Sequence, residues 1–175
     1  MLLLRIKFWI KYFTVALGCF FLSACSAPIV IVKPLDVSQA NQRASANFIV
    51  TERGGYRVAF LFVRVKDGED KSLQKMLEEE MVWGDPNNDG VPIKVHLRVF
   101  KNKKLFFDDY LVTSGLEWGQ HFYYEGVGMF AAVRPVEIFD LSPGSYQMEI
   151  ETLDDLDRFQ GTKSFVEFSY YSPKH

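Results

Sequence analysis

Apolar and polar residues alternate along most of the chain. From Ile93 to Val99 the alternation is strict. Ile93, Val95, Leu97 and Val99 share one face, and Lys94, His96 and Arg98 share the other, the mark of a strand with one buried side. Lys101-Asn102-Lys103-Lys104 turns the chain and Leu105 to Val112 returns, which predicts a β-hairpin. Tyr56 to Lys66 is apolar on both faces, with Tyr56, Val58, Phe60 and Phe62 on one and Ala59, Leu61, Val63 and Val65 on the other. Such a strand is central and covered twice. Further extended segments are expected at Pro28–Ser38, Asn47–Thr51, Arg134–Phe139, Ser145–Glu151 and Thr162–Tyr171, with an irregular aromatic and glycine-rich stretch over Thr113–Gly128. The period changes once. Leu73, Met76, Leu77 and Met81 recur at helical spacing around Glu78-Glu79-Glu80, between Asp70 as N-cap and Gly84 as stop, which predicts an amphipathic helix over about residues 70–82.

Short strands, a single helix and frequent turns make the fold class mainly β. The expected architecture is an antiparallel immunoglobulin-like β-sandwich with that helix inserted. Leu141-Ser142-Pro143-Gly144-Ser145-Tyr146 fits a hairpin of such a sandwich: Pro-Gly turns and Tyr146 reaches back into the core.

The amino terminus follows other rules. Arg5, Lys7 and Lys11 precede an apolar run from Tyr12 to Leu22, and no acidic residue occurs before Asp36. The run fits a signal-peptide core and is too short to span a bilayer as a helix. It closes on Leu22-Ser23-Ala24-Cys25, which resembles the bacterial lipoprotein box. That resemblance implies cleavage between Ala24 and Cys25 and acylation of Cys25. The expected organisation is a signal peptide over 1–24, a lipidated tether over 25–33 and one β-sandwich domain over 34–175. Ser26, where an Asp would favour inner-membrane retention, points to the outer membrane, facing the periplasm. Several acyl chains on one residue anchor a protein stably.

The 175 residues suit one domain, and 48% hydrophobic with 15% aromatic content supplies a sizeable core. Removal of the leader takes three basic residues and no acids, so 17 basic residues face 22 acidic ones. That balance excludes a basic nucleic-acid binder. Of the two cysteines, Cys19 leaves with the leader and Cys25 is acylated, so no disulfide is expected in an oxidising compartment.

The ordered stretches Pro34–Ser38, Tyr56–Phe62, Gly90–Ile93, Thr113–Gly119, Leu141–Tyr146 and Glu151–Leu153 resemble the proteobacterial lipoproteins grouped as domain of unknown function 5625. The resemblance runs over nearly the whole mature chain, from about Pro34 to Lys174. It implies a lipidated β-sandwich and brings no activity with it.

Candidate chemistry is sparse. Asp85-Pro86-Asn87-Asn88-Asp89-Gly90 matches the first half of a calcium loop, with Asp85, Asn87 and Asp89 as ligands. The twelfth place is His96 instead of Glu, and a strand follows. A tight polar turn is the simpler reading, so no metal or other cofactor is expected, calcium being the one candidate. His96, His121 and His175 have no zinc-ligand spacing. Asp108-Asp109 and Asp154-Asp155-x-Asp157 are carboxylate pairs, but adjacent strand residues face opposite ways and loop carboxylates are usually solvated. Ser114 lacks a nucleophile elbow. A non-enzymatic role follows. Trp118, His121, Phe122, Tyr123 and Tyr124 form an aromatic cluster suited to recognising a partner protein, a peptide or a sugar, or else to capping the core. The expected function is a lipid-anchored binding protein of the cell envelope with a protein partner, an immunity lipoprotein against a toxin being one concrete form. An accessory protein of an envelope assembly and a carbohydrate-binding module are the alternatives.

Overall fold

A computed structural model describes residues 28–64, 82–84 and 88–171. The leader, the cleavage site and Cys25 lie outside these residues. So does the helix expected over 70–82, except that Val82, with Trp83, has helical backbone.

The described chain forms an antiparallel β-sandwich. Its strands are β1 (Val30–Pro34), β2 (Arg43–Val50), β3 (Gly54–Arg64), β4 (Ile93–Lys101), β5 (Lys104–Thr113), β6 (Trp118–Tyr124), β7 (Val127–Leu141), β8 (Gly144–Thr152) and β9 (Ser164–Tyr170). One sheet has the order β1-β9-β3-β7-β6 and the other β2-β8-β4-β5. The main core lies between them. Val58, Phe60, Phe62, Val166 and Phe168 meet Val95, Leu97, Val99, Met148 and Ile150, all buried. Both faces of β3 are buried, as its pattern predicts. Tyr146 is buried and its hydroxyl donates to the Ser142 carbonyl at 2.8 Å, tying strand to turn.

Two expectations change. Within the stretch expected to be irregular, residues 118–124 form β6, paired with β7 from Trp118↔Val133 to Tyr124↔Val127. Strand β7 runs for 15 residues, through Pro135. Proline cannot donate to a ladder and is confined to edges and bulges. Here it sits where the β3–β7 register shifts, between Val58 and Ala59. The bulge keeps the strand continuous and sharpens its twist.

The far face of the five-stranded sheet is a second small core. Ala59, Leu61, Ala131 and Val133 on the middle strands are fully buried, with Phe122 from β6 and Phe165 from β9. Two strands separate β6 from β9, about 14 Å in a flat sheet. Yet the Phe122 and Phe165 ring centroids are 5.4 Å apart. Large rings on the flanking strands lean inward over small residues and close the face. Arg57 and Glu167 form an ion pair there, both almost fully buried.

At one end of the sandwich Arg134 fills the space between the sheets. It is fully buried. Its guanidinium donates to the carbonyls of Gly115 at 2.9 Å, Val91 at 2.7 Å, Val82 at 3.4 Å and Trp83. It also lies over the rings of Phe62 and Phe159, at 5.4 and 5.8 Å. Burial pulls its pKa down to about 10, so it remains a cation at neutral pH.

Candidate functional site

Strand alternation divides the aromatic cluster. Phe122 and Tyr124 point to the second core, where Tyr124 lies 5.0 Å from Phe165. Its partial burial, with the charge of Glu125 beside it, raises the Tyr124 pKa. His121 and Tyr123 point the other way. His121 rests on Phe130 at 4.9 Å and Tyr123 is 77% exposed. Trp118 opens the strand. A Cβ on Gly119 would come within 2.4 Å of the Phe130 ring, so a larger residue there would displace that ring. The five residues therefore do not converge on one surface, and Phe122 is a packing residue. Phe122→Ala is expected to lower stability by about 3–5 kcal/mol, whereas Tyr123→Ala changes it by less than about 0.5 kcal/mol. Urea unfolding of both variants checks the pair.

Of the calcium candidates, Asp85 and Asn87 lie outside the described residues. Asp89 is exposed, and its backbone carbonyl accepts from the Gly115 amide at 2.6 Å. The Asn88 side chain accepts from the Gly90 amide at 3.1 Å, an Asx turn. Among the described residues no group of three or more His, Cys, Asp and Glu is arranged to hold a metal ion. The acidic loop near the end of the chain works as a tie: Asp155 accepts from the Ala40 amide at 2.8 Å and Asp154 pairs with Lys94 at 3.1 Å.

A different surface gathers polar and aromatic groups. The outer face of the four-stranded sheet carries every second residue of each strand. Register sets Arg43, Glu151, His96 and Tyr110 in one row across β2, β8, β4 and β5, and Ser45, Glu149, Arg98 and Asp108 in the next. Ion pairs link neighbours, Arg43–Glu151 at 2.8 Å and Arg98–Glu149 at 2.7 Å, and His96 Nε2 is hydrogen-bonded to the Asp108 carboxylate at 2.5 Å. The His96 ring stacks on Tyr110 with centroids 4.4 Å apart and planes 12° from parallel. Tyr110 is 68% and Val112 65% exposed. Between the ladders runs an open groove of about 200 Å³, lined among others by Arg43, His96, Arg98, Glu149 and Glu151.

The sequence placed Lys94, His96 and Arg98 on the solvent side but gave no sign of this surface. Its rows join residues 43, 151, 96 and 110, which only the sheet order brings together. The alternation of β5 could have exposed Tyr110 and Val112 as outward residues. Chemically the face offers planar rings, two guanidinium groups and carboxylates in fixed positions, a set suited to recognising a protein surface. The edge of β5 is guarded. Asp109 accepts from the Tyr110 amide at 2.8 Å, and the strand bulges where Val99 and Phe100 shift register. Both features oppose strand addition. On this side of the molecule the broad face is open and the β5 edge is obstructed.

A family model described as a domain of unknown function, DUF5625, matches residues 32–170. No curated protein matches the chain. A solved crystal structure of a protein from Sulfurospirillum deleyianum is similar in fold, with a TM-score of 0.65 and 17% sequence identity. The alignment covers 84% of this chain and all of that one. At that identity the likeness concerns the fold.

Proposed function

The chain belongs to the DUF5625 family, and from that premise we propose that it is a lipid-anchored, non-catalytic binding protein of the bacterial envelope, holding a protein partner on the outer face of its four-stranded sheet. The leader and the lipobox ending at Cys25 support the anchor and an outer-membrane position facing the periplasm. The observation that carries the binding reading is the exposed Tyr110 ring stacked on the half-buried His96, beside Arg98 and Val112. Aromatic and arginine side chains held by neighbours lose little freedom on binding and dominate interface energies. The partner is a soluble protein of the periplasm, and an incoming toxin neutralised by this chain is one form of it.

The chain from Ser26 to His175, used as bait for periplasmic and secreted proteins, tests the reading. It is expected to hold one soluble protein, with Tyr110→Ala weakening the complex at least about 10-fold and Tyr123→Ala leaving it unchanged. Equal loss in both variants, or retention in both, would refute the assigned face. Toxicity of the captured protein in cells lacking this chain would specify immunity. Recovery of an envelope complex would point to an accessory role in assembly.

A further inference from the structure

The anchor residue and the first described residue are close in sequence. Cys25 stands three residues before Pro28, a reach of at most about 11 Å. An acylated Cys25 therefore holds the end of the sandwich around Pro28 against the bilayer. Pro28 and Ile29 share a groove with Ile49, Thr51, Arg53 and Tyr170. Arg53 pairs with Asp140 at the close of β7. The β7–β8 turn is bonded to the β4–β5 turn: the Asn102 amide donates to the Ser145 carbonyl at 2.8 Å, and the Ser145 amide to the Asn102 side chain at 3.1 Å. All these groups occupy one end of the molecule.

That end has a distinct chemistry. The β4–β5 turn carries Lys101, Lys103 and Lys104, and Leu105 and Phe106 follow directly, both at least half exposed. Val30 and Ile49 are exposed at the same end, on β1 and β2. The turn is held firmly, with Asn102 and Lys103 at positive φ and Lys101 hydrogen-bonded to Ser142. The opposite end carries Glu125, Asp154, Asp155 and Asp157 together with Arg64, Lys94, Arg158 and Lys163. Lysines beside exposed apolar residues match an anionic lipid surface: the charges sit among headgroups and the apolar side chains enter the interface.

We propose that the Lys101–Phe106 turn is a second membrane contact, docking on anionic phospholipid beside the acyl anchor. The domain then stands with its β4–β5 turn on the bilayer and its opposite end outward. Its partner-binding face is roughly perpendicular to the membrane and open from the side. The proposal rests on acylation at Cys25.

The test uses the mature acylated protein in phosphatidylethanolamine–phosphatidylglycerol vesicles containing a spin-labelled quenching lipid. Because acylation blocks Cys25, a cysteine introduced by Leu105→Cys or by Tyr123→Cys takes a fluorophore at one position. The label at 105 is expected to be quenched at least about twofold more than the label at 123. Adding Lys103→Glu and Lys104→Glu, or replacing phosphatidylglycerol with phosphatidylcholine, is expected to remove the difference. Equal quenching at 105 and 123 in a protein that sediments with the vesicles would overturn the proposal alone. A protein that carries no acyl mass and stays in the supernatant would overturn the anchor, and the proposal with it.

Discussion

Arg134→Met is expected to lower the unfolding free energy by about 3–5 kcal/mol, dropping the melting temperature by roughly 10 °C for a domain of this size. The guanidinium is one planar fork that bonds chain segments far apart in sequence: the Val82–Trp83 helical end, Val91 before β4, and Gly115 between β5 and β6. Methionine fills a similar volume and can still touch Phe62 and Phe159. It donates nothing. Val82 keeps the Val91 amide as a donor at 2.9 Å, while the carbonyls of Val91, Trp83 and Gly115 lose the arginine. A buried carbonyl without its donor costs about 1–3 kcal/mol. Against this stands the relief from no longer burying a cation, the same effect that pulls the Arg134 pKa down to about 10.

The sign of that term follows from linkage. Below about pH 10 the folded and unfolded states both hold the proton, and the cost of burying the charge is present in full. It is relieved only as pH rises from about 10 towards the unfolded value, so neutral-pH measurements compare like with like. Hydrogen exchange locates the damage. The Val91 and Gly115 amides, bonded to Val82 and Asp89, should speed up more than the β2–β8 ladder. Arg134→Lys should recover only part of the loss, because an ammonium on a flexible stem cannot serve the same acceptors as a fork. A methionine variant within about 1 kcal/mol of the parent would refute this role.

Arg134 also shows where sequence patterning stops. In Ala131-Ala132-Val133-Arg134-Pro135-Val136 nothing local marks the arginine as buried, since its acceptors come from distant turns. The β4–β5 hairpin was legible because its alternation is strict and its turn polar, and β3 because both its faces are apolar. Strand β6 was not. Its inward residues Gln120, Phe122 and Tyr124 include a polar one, which breaks the apolar alternation, and Gly119 and the Glu125-Gly126 turn read as loop. Gln120 faces inward because Glu167 and Arg57 wait there on β9 and β3. The candidate site was half visible: alternation assigned the outward side of β4, but the stacking of His96 on Tyr110 depends on cross-strand register.

The buried pair behind that misreading makes the second large prediction. Glu167→Met and Arg57→Met should each destabilise the protein by about 3–5 kcal/mol, while the double variant Arg57→Met, Glu167→Met should lose at least about 2 kcal/mol less than the two single losses added together. The Glu167 carboxylate accepts from Arg57, from Gln120 at 2.5 Å and from Ser169 at 2.7 Å. Arg57 also donates to Gln120 at 3.1 Å and lies 5.3 Å over the Tyr171 ring. Taking two ions out of water is costly, and their attraction in a dry site roughly offsets it. Removing one ion leaves the other buried without its opposite charge, so each single change is severe. Removing both leaves no unpaired charge, and methionine side chains can pack against Leu61, Phe122 and Phe165, while Gln120 and Ser169 lose the carboxylate. The double-mutant cycle, measured by urea unfolding, should therefore give a coupling of at least about 2 kcal/mol. Additive single effects would mean that the two residues act separately, Glu167 through Gln120 and Ser169 and Arg57 through Tyr171. Strong coupling would mean that each charge is tolerated beneath the leaning rings chiefly because the other is there.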